Sequence, residues 1–329
     1  MEIPEGVPEK QRPWPWFVTL SFTVCASLVA TSLSIFGDPE VNFWTAILDL
    51  KTDQAIALKT ETRGPMIFVG GGSNCSFSIH ADVLSNVTGM PTLNMGGSAG
   101  MGYQYLVNFA MSQAREGDFI ILLLEPEILV ASERKPSMTA TKVALRRDGI
   151  SAGMEDPPFA SGMTPRDYLS AASPGAKFLA TFAAKSLSGR PLYRYQVNSF
   201  QKNGVLTFDA EEPNSDVEGY SPLQRKFDQE IVEDLRKIST YASEKKIRVF
   251  YALPWEAFRP DALDAARAEH ARFLKMMSLH LPVLQDKMMG AVEDNSWFLD
   301  TGYHMTLEAG RARSHFLAEA LLQELNFSQ

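Results

Sequence analysis

A serine set among small residues, and a histidine with an aspartate four positions upstream, are the two features of this 329-residue chain that could carry out covalent chemistry. The first lies in GGGSNCSFSI, Gly70 to Ile79, directly after the apolar run MIFV. A serine just beyond a buried strand can point its hydroxyl into the crevice at the carboxyl edge of a sheet. Glycines also make phosphate-binding turns, but no GK[ST] sequence follows and no dinucleotide-binding spacing is present. The second feature is WFLDTGYHMTLEAG, which sets Asp300 and His304 immediately before the last helical pattern. A histidine there can take a serine proton as general base while the carboxylate orients the ring and stabilises its charged form. Taken alone, a serine at position 73 is more often a turn or cap residue than a nucleophile, Asp300 could cap a turn and His304 could be a core residue. His80 lies close in sequence to Ser73, and His270, His280 and His315 fall in helical patterns. Cys75, two positions beyond Ser73, has no dedicated partner in the sequence and reads as a buried structural thiol.

The elements that must position these groups follow an alternating pattern. MIFV, PTLN and FIILLLE read as short inner strands, the last continuously apolar from Phe119 to Glu125, and helices are expected near 80–86 and 101–114. SPLQRKFDQEIVEDLRKISTYASEKK predicts a long amphipathic helix, IRVFYALP another strand, and helices fit at about 261–279 and 307–325. Strand and helix in alternation define an α/β fold with a central parallel sheet covered on both faces. Residues 131–221 exceed an ordinary connection and read as an insertion, either a lid or partner surface or a locally packed decoration.

From Phe17 to Phe36 the chain runs FVTLSFTVCASLVATSLSIF, 20 residues without a charge. As a helix they rise about 30 Å, the thickness of a hydrocarbon core. Trp14 and Trp16 precede it at what would be headgroup level. A buried helix and a cleavable signal peptide remain the alternatives. Lys10 and Arg12 lie upstream and Lys51 is the nearest base downstream, so the positive-inside bias favours a cytoplasmic tail (1–16), a transmembrane helix (17–36), a neck (37–64) and an extracytoplasmic domain (65–329). The net charge of −8, from 31 Lys+Arg against 39 Asp+Glu, argues against a nucleic-acid surface. Two cysteines exclude a disulfide scaffold, and no cysteine–histidine cluster has structural-zinc spacing.

These residues together resemble the SGNH, or GDSL-like, hydrolase superfamily. Within it the chain is similar to bacterial membrane-anchored proteins associated with O-acylation of surface polysaccharides, a group that includes the teichoic-acid D-alanylation protein. Gly72-Ser73-Asn74 matches the nucleophile block, Asn94-Met95-Gly96-Gly97 the second block, and Asp300 to His304 the terminal acid–base block, followed by Met305 and the Glu308-Ala-Gly310 helix entry. The resemblance implies a three-layer fold, a Ser73–His304–Asp300 triad, and an oxyanion hole made by the amides of Ser73 and Gly97, with Gly96 as the neighbouring choice. The third block departs from the pattern: its usual asparagine is replaced by Leu124-Glu125-Pro126-Glu127. An ionised glutamate cannot donate to an oxyanion, so Asn74 is the candidate replacement donor, and Glu125 is left to orient a sugar hydroxyl or anchor an arginine. The terminal block also has four residues from acid to base where three are usual. The implied activity is O-acyl transfer, most simply of acetyl groups, to a cell-surface or exported polysaccharide beside a membrane-bound O-acyltransferase. A polysaccharide O-acyl esterase and a non-catalytic glycan-binding assembly protein are the alternatives. Glu127, Trp255, Trp297 and Tyr303, with Glu125, are the candidate crevice residues for a glycan. No metal or cofactor is required by this chemistry.

Overall fold

In the computed structural model the described residues are 14–129, 137–148, 158–159, 165–172, 183–189, 193–201, 204–207 and 227–327. Most of the expected insertion and the upstream bases Lys10 and Arg12 fall outside them.

The first helix, α1 (Trp14–Phe36), is long and apolar enough to cross a membrane, and Phe17, Leu20, Phe22 and Leu28 are exposed along it. Gly37 ends it. Asp38 then caps α2 (Pro39–Glu61): its Oδ1 accepts from the amides of Glu40 and Val41 at 3.1 and 3.5 Å, and Pro39 takes the first helical position. Residues 37–64, read from the sequence as a neck, therefore contain a helix, and that helix is built into the core. Val41, Phe43, Trp44, Ile47 and Leu48 are buried, which is helical spacing for one apolar face.

Five parallel strands form the main sheet in the order β2-β1-β3-β4-β6: β1 (Ile67–Gly71), β2 (Thr92–Asn94), β3 (Phe119–Leu123), β4 (Arg248–Ala252) and β6 (Val283–Leu284). A second, two-stranded parallel sheet joins β5 (Glu256–Ala257) to β7 (Ala291–Val292). Alternate strand residues face opposite ways. Phe68, Ile120, Leu122, Val249 and Tyr251 pack with α2, α5 (Tyr103–Met111), α8 (Gln229–Lys245) and α9 (Leu263–Met277). Ile67, Val69, Ile121, Leu123 and Phe250 pack on the other face with α3 (Ser73–Ser78), α4 (Ala81–Thr88) and α10 (Leu307–Phe327). Helices α6 (Met138–Asp148) and α7 (Pro165–Ala172) lie beside α1 and α2. The α/β class and the parallel sheet are as expected from the alternation of patterns. The long helix begins only at Gln229, where Asp228 caps it by accepting from Ile231 N at 3.0 Å; residues 208–226 lie outside the described residues.

From β1 the chain passes to β2 on one side, while β3 pairs on the other. The reversal puts a topological switch point at the carboxyl ends of β1 and β3, where open α/β sheets bind ligands. Ser73 follows β1 there, and Glu125 lies two residues beyond β3.

Candidate active site

Ser73 is the first residue of α3, a six-residue helix with no strong signal in the sequence. It follows Gly72, which lies against the Glu125 carboxyl: a Cβ there would lie 2.3 Å from one of its oxygens. Ser73 is half-buried. One helical turn further, on the same face, Phe77 packs its ring on that of His304 with centroids 4.3 Å apart. Ser78 Oγ donates to Tyr303 O at 3.2 Å. The helix that begins at Ser73 is thus in direct contact with the loop that carries the histidine. Among the described residues no hydrogen bond joins Ser73 to His304.

Asp300 and His304 are brought together by a tight loop. Leu299 N donates to His304 O at 2.7 Å, and Thr301 Oγ1 accepts from the amides of Tyr303 and His304 at 3.2 and 3.1 Å. Phe298 and Met305 pair antiparallel across its base. The closure folds the four-residue interval so that His304 Nδ1 lies 2.7 Å from Asp300 Oδ1. Burial pushes Asp300 up, but hydrogen bonds from His304 and Tyr195 and the charge of Arg194 outweigh it and hold the carboxyl at about 2. An ionised carboxylate only accepts, so Nδ1 carries the hydrogen and Nε2 is the nitrogen left to receive a proton.

Two partners of Asp300 come from the expected insertion and have no signature in the sequence. Tyr195 Oη donates to Asp300 Oδ2 at 2.7 Å and lies 3.4 Å from His304 Nδ1, and Arg194 Nη1 lies 3.0 Å from the same Oδ2. Burial and the neighbouring carboxylate raise the Tyr195 hydroxyl, keeping it a donor. Its ring packs on Phe77 at 5.0 Å and on Phe43 of α2 at 5.9 Å. Trp44 Nε1 donates to the Tyr193 hydroxyl at 3.1 Å. The helix leading out of α1 therefore seats Tyr193 and Tyr195, and Tyr195 holds the acid.

The second block is used to build the sheet edge. Asn94 Nδ2 donates to Cys75 O and Ile79 O, both at 2.8 Å, and its Oδ1 accepts from Gly96 N at 2.8 Å and from Lys51 Nζ at 3.2 Å. Lys51 of α2 also donates to Gly96 O at 2.7 Å; its complete burial pushes it down to about 7. Gly97 N donates to Gly71 O at 2.9 Å, extending the parallel ladder beyond β2. The expectation that Gly97, or Gly96, offers an oxyanion donor is corrected accordingly, since both amides already have partners. Asn74 does not fill the place either: it is 1% exposed, and its Nδ2 donates to Leu123 O at 3.1 Å. The Ser73 amide remains, at the first position of a helix, where no intrahelical acceptor exists.

The expected glycan residues divide. Tyr303 Oη donates to Glu127 Oε2 at 2.8 Å, linking the loop after β3 to the loop before α10 beside His304. Trp255 is a core residue, 2% exposed, with its Nε1 on Asp286 Oδ2 at 2.9 Å and one face stacked on the half-buried Trp297 at 5.6 Å. Its expected place in the crevice is taken back, because Trp297, Phe316 and the Arg313 guanidinium enclose it. Glu125, 3% exposed, reaches neither a crevice-facing position nor an arginine; its Oε1 accepts from Asn74 N at 3.4 Å and burial pushes it up to about 7. Cys75 donates to Val69 O at 3.3 Å, and burial raises its thiol to about 12, so it is a neutral core residue, as its sequence context suggests. Comparison with protein families, curated proteins and solved structures found no match.

Proposed function

We propose that this chain is a membrane-anchored serine acyl-transfer enzyme of the SGNH, or GDSL-like, three-layer type, acting on a bacterial cell-surface or exported polysaccharide. The observation that carries the reading is the Asp300–His304 pair at 2.7 Å, with its histidine ring packed on the helix that starts at Ser73. In this reading His304 Nε2 takes the Ser73 hydroxyl proton as Oγ bonds the acyl carbon. The bond from that carbon to the donor's oxygen breaks, and the leaving oxygen receives the proton from His304. A sugar hydroxyl then gives its proton to His304 as it attacks the acyl-serine carbon, the bond from that carbon to Ser73 Oγ breaks, and Oγ takes the proton back from His304. Water attacking in place of the sugar makes the same site an esterase.

Support for the anchored form comes from α1, which has the length and apolar exposure of a membrane span. The cytoplasmic side then holds the N-terminal tail, and the domain faces the periplasm or exterior. A membrane-bound O-acyltransferase is the partner that would supply activated acyl groups. A non-catalytic assembly role is the second reading, favoured by the engaged amides of Gly96 and Gly97 and by the unformed Ser73–His304 hydrogen bond. Catalytic hydrogen bonds often tighten only when substrate binds, which weighs against that reading.

Exposure of the full chain in detergent to a fluorophosphonate, followed by intact-protein mass measurement, separates the two. One adduct on Ser73, absent in Ser73→Ala and slowed at least about a hundredfold in His304→Ala, is the expected outcome. Equal labelling of wild type and Ser73→Ala would contradict the proposal.

A further inference from the structure

Glu125 stands two residues beyond β3, on the strand whose Leu123 pairs with Gly71. That register puts its carboxyl against the turn that presents Ser73. A Cβ on Gly72 would lie 2.3 and 2.5 Å from the two carboxyl oxygens, so the turn lies directly against the acid. Oε1 accepts from Asn74 N at 3.4 Å, while Oε2 is buried with no hydrogen-bond partner. Asn74 Oδ1 is also a buried acceptor without a donor.

The charged and titratable groups near this carboxyl offer no compensation for a negative charge. Glu127, on the following turn, adds a like charge. Cys75 of α3 is a neutral thiol. Lys51 of α2 is held by Asn94 and Gly96, and Arg313 of α10 by Asp286 and Leu253 O. Among the described residues no cation forms an ion pair with Glu125. A buried carboxylate without a cation is strongly disfavoured, and such a group takes up a proton instead.

We infer that Glu125 works as an uncharged carboxylic acid that holds the Gly72–Asn74 turn, and thereby the nucleophile, in place of the usual third-block asparagine. A proton on Oε2 turns an unmatched buried acceptor into a donor. It also removes the objection that a third-block glutamate opposes a developing oxyanion, because the neutral acid adds no negative charge beside Ser73. The group resembles a neutral amide in shape and charge, so glutamine is the substitution that preserves its work. The elevation of the carboxyl to about 7, caused by burial and only partly offset by Asn74, agrees with this assignment. The positional half of the inference rests on the serine reading of the site; the uncharged state does not.

The test compares wild type and Glu125→Gln as full chains in detergent, by thermal unfolding between pH 4.5 and 8 and by fluorophosphonate labelling of Ser73 over the same range and up to pH 9. An acid whose folded value lies above its unfolded value stabilises fully at low pH and loses that contribution as pH rises through about 7. The wild-type melting temperature should therefore fall relative to the variant by roughly 3–6 °C between pH 4.5 and 7.5, then run parallel. Ser73 labelling should decline above pH 7 in wild type and not in Glu125→Gln. Parallel melting curves throughout would overturn the inference, whatever the labelling shows. A melting contrast with no Ser73 labelling in either protein would instead overturn the nucleophile-holding role and the serine reading on which it rests. Should Glu125→Gln not accumulate, infrared titration of wild type decides: a buried carboxyl C=O band lost between pH 6 and 8 is expected, and its absence contradicts the proposal.

Discussion

Tyr195 offers its hydroxyl to the Asp300 oxygen that His304 leaves free, so both carboxylate oxygens are held, one by the ring to be oriented and one by a fixed donor. Such a donor restrains the carboxylate plane and with it the imidazole. Tyr195→Phe keeps the ring contacts with Phe77 and Phe43 and removes only the hydroxyl; a hydrogen bond to a charged group of this kind should slow Ser73 labelling roughly 3- to 30-fold, with the fold intact by circular dichroism. A rate equal to wild type would show that Arg194 and the loop alone orient Asp300. The acid also leaves a mark on stability. Its carboxyl is depressed to about 2 from an ordinary value near 4, so its contribution is present above pH 4 and lost as pH falls toward 2. The difference in melting temperature between wild type and Asp300→Asn should accordingly shrink between pH 4 and 2; a constant difference would speak against an ionised, hydrogen-bonded Asp300.

At the scale of elements, α2 joins the apolar helix to the site. Phe43 and Trp44 seat the two tyrosines, and Lys51 ties Asn94 to Gly96 beneath the nucleophile helix. Trp44 is 2% exposed, and loss of such a side chain alone costs about 3–5 kcal/mol. A chain starting at residue 37 should fold and be labelled at Ser73, whereas one starting at 62 should be aggregated or molten; a well-folded, labelled domain from the shorter piece would refute the integral role of α2. The reasons this helix was hard to read are physical. Val41, Trp44, Ile47 and Leu48 are correctly spaced, but the position that continues the buried face is Lys51, and a lysine normally marks a solvated face. The sheet was legible because its inner strands are covered on both sides and so read as unbroken apolar runs. Asp300 and His304 were legible because they are neighbours in sequence. Tyr195 and Arg194 were not, since they lie 105 and 106 positions from Asp300 and meet it only through tertiary packing. Gly97 was misassigned as an oxyanion donor for a related reason: a glycine's amide is visible in a sequence, but whether Gly71 O already holds it is decided by strand register.

For the whole molecule, the apolar helix and the domain form one continuous path. Phe36 ends α1, Asp38 caps α2 while pairing with Lys142 of α6 at 3.2 Å, and Arg146 of the same helix lies over the Phe36 ring. These contacts fix the domain against the end of α1 rather than leaving it on a loose tether. In the proposed arrangement they hold the crevice close to the membrane surface, where an acyl group carried across the bilayer would emerge. A soluble chain from residue 37 should then keep its reactive serine yet fail to support polymer acylation in cells. The central claim is tested most directly by polymer O-acyl content in the native host, with wild type, Ser73→Ala and His304→Ala present at matched abundance. The account predicts that both substitutions abolish O-acylation while the protein stays in the membrane; O-acyl content unchanged in both would contradict it.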